Sequence, residues 1–295
     1  MLISIMAGGL RAACHFFANE DAKPMNEAVT IRRRGRPSST GATESGGEVQ
    51  SLDRAITLME VLAATDGMTL SDVARRAELP TSTVHRLLTT LERRGLVGHD
   101  PATGHWMVGL GMFRIGSAYL RIRRLPEIAR TQIRELSYAV NETVNLSLID
   151  GAELICVAQV ESHAAVRAFF RIGGRMPIHA SGGGKAILAA MQPEARRAWL
   201  GSDQLERYTE HTHVSRRALQ SDLASIDARG YSIDDEEHTP GMRCVAAAVL
   251  DEWKEPIGAL SISAPTVRMP PERIADLGAR VREAARRLTT RYSGL

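Results

Sequence analysis

VQSLDRAITLMEVLAATDGMTLSDVARRAELPTSTVHRLLTTLERRGLVGHDPATGHWMVGL, residues 49–110, decides how the first part of the chain folds. Leu52, Ile56, Met59 and Leu62 recur at helical spacing and predict a first helix over about 51–64, ended by Asp66-Gly67. Thr69, with Asp72 three positions on, resembles a capping box and opens a second helix that turns Leu70, Val73, Ala74 and Ala77 inward. Glu78-Leu79-Pro80 is a turn, and a third helix starts near Pro80, where a missing N–H does no harm. Its Val84, Leu87, Leu88 and Leu91 follow i, i+3, i+4, i+7 and predict a buried face. The opposite face carries Thr81, Ser82, Thr83, His85, Arg86, Thr89, Thr90 and Arg93, with no acidic residue before Glu92. Gly95 is placed to end the helix in a left-handed cap. Residues 96–99 and 105–108 then form two strands around the turn Asp100–Gly104.

Helix, short turn, helix and hairpin together are the pattern of a winged helix-turn-helix, which presents its third helix to the major groove of DNA. Hydroxyls and the helix N-terminus suit phosphate, and Arg86 is long enough to reach a guanine edge. The expected DNA-contacting residues are Thr81, Ser82, Thr83, His85, Arg86, Thr89 and Thr90, with Arg34 and Arg36 upstream. The alternative for such a face is a solvated side of a small helical bundle.

Outside this stretch, 295 residues of ordinary apolar content suggest about two domains. The net charge of +3 is too small to imply a polyanionic partner by itself, but Arg32, Arg33, Arg34 and Arg36 are clustered. The segment 26–48 is rich in Gly, Ser, Thr and Arg, so it is expected to be disordered. Arg34-Gly35-Arg36-Pro37 reads either as a minor-groove hook or as a plain basic arm. Residues 1–24 begin apolar without a preceding basic cluster, which argues against a signal peptide; Met25 is an alternative start. Cys14, Cys156 and Cys244 have neither disulfide-framework nor zinc-ribbon spacing, and no run reaches the length of a membrane span. A cytoplasmic protein is expected.

The quoted stretch resembles the IclR family of bacterial transcriptional regulators through Val49–Ala55, through Leu79-Pro80-Thr81-Ser82-Thr83-Val84-His85-Arg86-Leu87-Leu88, and through Leu96-Val97 with the wing. The likeness continues to about Tyr292. It implies an α+β chain: an N-terminal winged helix-turn-helix, a linker helix, and a C-terminal GAF-like α/β effector-binding domain. The expected division is a basic tail at 1–48, the DNA-binding domain at 49–108, the linker at 109–124 and the effector and oligomerisation domain at 125–295. The family further implies homodimers or dimers of dimers on palindromic operators, most often as repressors and sometimes as activators.

Leu110–Leu120 is apolar on more than one side, as a helix packed against a partner copy, or within the core of its own chain, would be. A helix over about 125–140, strands at 144–149, 154–160 and 166–170, helices at 184–191 and 216–229, strands at 244–250 and 257–263 and a last helix from 271 predict an antiparallel sheet with helices packed on it. Asp150-Gly151 is a hairpin turn.

His179-Ala180-Ser181-Gly182-Gly183-Gly184-Lys185-Ala186 invites comparison with a phosphate loop but fails it, because His179 and Ala186 stand where Gly and Ser or Thr are needed. Three glycines opening a helix either offer N–H groups to a carboxylate or form a turn that only allows close packing. By resemblance to the family, Ser181, Gly182, Gly183, Asp234, Cys244, Ser261 and Ser263 line the effector pocket; Ser261 and Ser263, two apart on a strand, share a face. So small and polar a lining suits a short oxo or hydroxy acid, with glyoxylate foremost because members that bind it resemble this pattern. The rival is a metal- or redox-responsive regulator using His179, His238 and Cys244. No cofactor and no metal are expected. Neither H-E-x-x-H nor G-x-S-x-G occurs, so no enzyme is expected.

Overall fold

The computed structural model describes residues 49–122, 124–164, 170–200 and 204–294. Arg34 and Arg36, the rest of the segment 1–48, and most of the strand expected at 166–170 lie outside them. No helix among the described residues is long and apolar enough to cross a membrane.

The first elements are helix α1 (Gln50–Ala63), strand β1 (Met68–Thr69), helices α2 (Leu70–Arg76) and α3 (Thr81–Arg93), and strands β2 (Val97–Asp100) and β3 (His105–Val108). Val73 of α2, Val84, Leu88 and Leu91 of α3, and Trp106 of β3 bury one another with Leu58 and Leu62 of α1. Thr69 caps α2, but only half of a capping box forms: its Oγ1 accepts from the Asp72 N–H at 3.3 Å and donates to the Asp72 carboxylate at 2.7 Å. The hairpin gains a short third strand, in the order β1-β3-β2. Gly95 has φ +69°, as the cap requires.

The stripe expected on α1 is divided. Leu62 is in the core and Met59 packs against it, but Leu52 and Ile56 are 59% and 43% exposed. Periodicity identifies an apolar face; it does not identify the molecule that covers it.

Next come α4 (Leu110–Ile122), α5 (Leu125–Val140), β4 (Thr143–Asp150), β5 (Glu153–Val160), β6 (Arg175–Pro177), α6 (Gly182–Ala190), α7 (Pro193–Trp199), α8 (Arg216–Arg229), β7 (Ser232–Asp235), β8 (Met242–Leu250), β9 (Pro256–Pro265) and α9 (Pro271–Ser293). The strands pair antiparallel in the order β6-β5-β4-β9-β8-β7. The short elements β6, α7 and β7 are absent from the sequence-based expectation. Asp150 ends β4, and the hairpin turn that follows has Gly151 at φ +55°.

Strand alternation splits the sheet into two unlike faces. Val144, Leu146, Leu148, Val245, Ala247, Val249, Leu260 and Ile262 point to one side and form the main core with α5 and α9. Between them on β4, β8 and β9 stand Asn145, Ser147, Cys244, Ala246, Ser261 and Ser263, directed toward the side that α6 and α8 cover.

That second layer is tied down by Lys185 of α6, which has no exposure to water. Its ammonium donates to Asp222 Oδ2 of α8 and to the Ile233 carbonyl of β7, each at 2.6 Å, and to Glu237 Oε1. A tetrahedral ammonium satisfies three convergent acceptors where a planar guanidinium would not fit. Burial alone would raise Asp222, but the His213 hydrogen bond, with Lys185 and Arg229, holds its carboxyl below the ordinary range. Gly184, one residue earlier, lies so near the Ile178 carbonyl that an added Cβ would come within 2.0 Å of its oxygen.

Two outcomes are expected in chemical denaturation. Gly184→Ala should lower stability by about 1–3 kcal/mol, since backbone rather than a side-chain tip must move. Lys185→Met should lower it by about 3–5 kcal/mol at neutral pH, because the buried Glu237 carboxylate and the partly buried Asp222 carboxylate both lose the ammonium between them. A carboxyl depressed in the folded state contributes stability above its unfolded value and loses it as acid protonates it. The gap between wild type and Lys185→Met should therefore narrow as pH falls below about 4.

Candidate functional site

Two surfaces gather the residues singled out by sequence. The first is the outer side of α3. Thr81, Ser82, His85, Arg86 and Thr90 are exposed, and Thr83 and Thr89 are half-buried. The helix starts after Pro80 with no side-chain cap and no acidic residue in its first turn, so its positive end faces solvent unneutralised. Thr89 Oγ1 donates to the His85 carbonyl and Thr90 Oγ1 to the Arg86 carbonyl, both at 2.8 Å. Those two hydroxyls are thereby left as acceptors, and donation falls to Ser82, Thr83, His85 and Arg86. The wing is attached to this helix through aromatic rings: Trp106 stands edge-on to His85 at 6.4 Å and lies against His99 at 4.6 Å.

The second is a cavity of about 110 Å³ between the polar face of the sheet and the start of α6. Ser181, Gly182, Gly183, Asp234, Cys244, Ser261 and Ser263 all border it. The sheet brings them together by register: Asp234 pairs with Cys244 and Cys244 with Ser263, while in the next row of that face Ala246 pairs with Ser261 and Ser261 with Asn145. Asn145 is a lining residue absent from the expected set. Its amide donates to Ser261 Oγ at 3.4 Å and Ser263 Oγ at 3.3 Å, and its carbonyl accepts from Gln159 at 2.8 Å. Its signal in the sequence is the polar residue at alternate positions of Val-Asn-Leu-Ser-Leu, residues 144–148.

Ser181 sits at the site in a different capacity from a ligand donor. It is the N-cap of α6: its hydroxyl donates to the Pro177 carbonyl at 2.7 Å and accepts from the Gly184 N–H at 3.2 Å. The backbone at Gly182 and Gly183 is what faces the cavity from that helix end. Gly182 is required by proximity, because an added Cβ would lie 2.9 Å from Cys244 Sγ.

Burial dominates the electrostatics of Asp234 and Cys244. Burial, then the neighbouring Glu237 carboxylate, push Asp234 up to about 7, while its Oδ1 accepts from the Glu237 N–H at 2.9 Å. Burial pushes the Cys244 thiol up to about 12, so at neutral pH it is a protonated, unreactive wall group. The Arg243 guanidinium is directed to Asp235 and to the Met269 carbonyl.

The trio His179, His238 and Cys244 does not converge. His238 and Cys244 border the cavity, but the Tyr208 ring contacts both imidazoles, 5.7 Å from His179 and 5.2 Å from His238, and His179 is bonded to the Glu206 carbonyl. Among the described residues the group with metal-holding spacing is instead His213, Asp222 and Glu237. The Lys185 ammonium already bridges those two carboxylates, so the cluster contains its own cation.

Comparison with known proteins assigns both parts of the chain to one family. The model of the IclR helix-turn-helix domain matches residues 51–101, and that of the IclR C-terminal domain of bacterial transcriptional regulators matches residues 117–290. The chain is 43% identical over 266 residues to the HTH-type transcriptional regulator BhcR of Paracoccus denitrificans, covering 89% of this chain and 95% of that protein. It is 41% identical over 266 residues to the transcriptional repressor IclR of Escherichia coli, covering 89% and 97%. Among solved structures, an IclR homolog complexed with 4-hydroxybenzoate from Microbacterium hydrocarbonoxydans superimposes with a TM-score of 0.71 at 26% identity, covering 83% of this chain and all of that one. These relatives are DNA-binding regulators rather than enzymes, and the chain belongs to the IclR family of bacterial transcriptional regulators.

Proposed function

We propose that the chain is a cytoplasmic repressor that binds a palindromic operator as a homodimer or dimer of dimers and is controlled by a short organic acid, glyoxylate or a close analogue. In this reading residues 1–48 are a basic tail, 49–108 the DNA-binding domain, 109–124 the linker and 125–295 the effector and oligomerisation domain. The polar side of α3 enters the major groove. The effector occupies the cavity bordered by Asp234, Cys244, Ser261, Ser263 and the Ser181–Gly183 turn.

One observation carries the effector assignment: a small pocket of about 110 Å³ combines hydroxyls and helix-end N–H groups with a buried carboxyl. Its volume equals about three to four water molecules, which suits two or three carbons with a carboxylate. The 4-hydroxybenzoate carried by the Microbacterium homolog is also a carboxylic acid. The repressor sign follows the E. coli relative. Dimerisation through the linker is supported by α4, where Leu110, Phe113, Ile115 and Tyr119 are all strongly exposed. An apolar face of that extent calls for a cover.

The primary test is fluorescence anisotropy on the chain's own upstream DNA at fixed salt, with and without glyoxylate and a panel of small acids. Glyoxylate should release the DNA. Enhanced binding would instead make the protein an activator or a co-repressed repressor. Ser261→Ala with Ser263→Ala should abolish the response and leave operator affinity unchanged; a surviving response would put the effector elsewhere.

The buried carboxyl adds a pH dependence. An acid anion can share a proton with Asp234 below about 7 but meets a second negative charge above it. Effector affinity, measured by calorimetry, should fall up to about tenfold per pH unit above that point. Asp234→Asn should flatten the profile.

A further inference from the structure

We infer that the notch between the start of α1 and the side of α3 is a phosphate site, and that Arg54 and Arg86 together hold the DNA backbone there. The inference rests on α3 being the DNA-reading helix and adds a residue of α1 that the helix-turn-helix pattern does not single out.

The notch has a volume of about 310 Å³ and is lined by Ser51, Arg54, Thr83, Arg86, Leu87 and Thr90. That is about ten water volumes, enough for a phosphodiester and the edges of its sugars. Two guanidinium groups line it and no carboxylate does. Asp53, next to Arg54 in sequence, is not a lining residue. Neither Arg54 nor Arg86 has an ion pair among the described residues, although Arg175, Arg243, Arg268 and Arg286 are all paired with acids. The Ser51 and Thr83 hydroxyls are likewise without a partner among the described residues, whereas Thr90 spends its proton on its own helix. Two forked cations and two hydroxyl donors suit the two non-bridging oxygens of a phosphodiester, which share one negative charge.

Helical geometry separates this set from the groove-facing one. At about 100° per residue, Thr83, Arg86, Leu87 and Thr90 form one stripe of α3, and Thr81, Ser82, His85 and Thr89 form another. The first faces the notch; the second is free to meet base edges. Arg86 is thereby moved from the base-reading role expected from sequence to a backbone-anchoring one, and Arg54 gives it a partner on another helix.

The test is anisotropy over a salt series, on the upstream DNA and on an unrelated duplex of equal length. Arg54→Gln should weaken both about tenfold. It should also lower the slope of log K against log salt by about 0.9 for each phosphate that is no longer neutralised. Arg86→Gln should do the same, and Arg54→Lys, which keeps the charge, should restore most of the slope. Thermal melting of each variant checks the fold; should Arg54→Gln not fold, Arg86→Gln and a duplex carrying neutral methylphosphonates at the flanking backbone test the same interaction. Unchanged affinity or slope in the folded variants overturns the phosphate site and leaves the DNA reading standing. A change in sequence preference without uniform weakening also overturns it, by returning these arginines to base edges. Failure of the wild type to bind any duplex overturns the DNA reading and the site with it.

Discussion

An ammonium group shut away from water holds together the part of the molecule where a ligand would be sensed. Lys185 projects from α6 and reaches α8 through Asp222, β7 through the Ile233 carbonyl, and the following turn through Glu237. Two of those elements are also walls of the cavity: α6 supplies the Gly182–Gly183 edge and β7 supplies Asp234. A buried charge tolerates little displacement of its partners, because breaking any one of these bonds leaves an ion without water. The walls are thus fixed before any ligand arrives. The Glu237 backbone N–H, bonded to Asp234, carries that constraint directly to a cavity carboxyl.

The antiparallel sheet turns this rigidity into a division of labour. With side chains alternating, β4, β8 and β9 place aliphatic residues against α5 and α9 and small polar ones against α6. The aliphatic face supplies stability that lets part of the opposite face be polar. Serine, cysteine, asparagine and alanine leave room for a cavity where leucine and valine would fill it. Gly182 extends the same economy of volume, letting the helix end approach Cys244 closely enough for its backbone to serve as wall.

These features are unequally legible in the sequence. The helix-turn-helix is local: its helices, turn and wing follow within sixty residues, and their caps and periodicities agree with one another. The seven pocket residues are reached through family resemblance, and only the shared face of Ser261 and Ser263 follows from spacing. Asn145 escapes a reading of the sequence because its partners Ser261 and Ser263 are more than a hundred residues away. β7 escapes it because four residues ending in two aspartates look like a turn until β8 pairs with them. Lys185 misleads in an instructive way: after three glycines it looks like a phosphate ligand, yet it is an internal cation. The clue is its position in an apolar helix of a chain that otherwise uses arginine almost throughout. Leu52 and Ile56 show the opposite failure: half of a regular apolar stripe has no cover among the described residues.

The same contrast between the two cations bears on how a pocket can control DNA binding at all. A ligand shifts an equilibrium only by its difference in affinity for two arrangements. Moving a population from mostly one state to mostly the other needs about 5.5 kcal/mol of such difference. A cavity locked around Lys185 contributes little of it by deforming locally, since its walls are already committed. Places where the described residues are less committed are the exposed apolar side chains of α1 and α4, Leu52, Ile56, Leu110 and Phe113 among them, and the notch at Arg54 and Arg86, which no acid lines. On the proposed function, the buried lysine would make the pocket rigid, while arginines without an acid among the described residues and exposed leucines would leave the DNA-binding helices free to be repositioned.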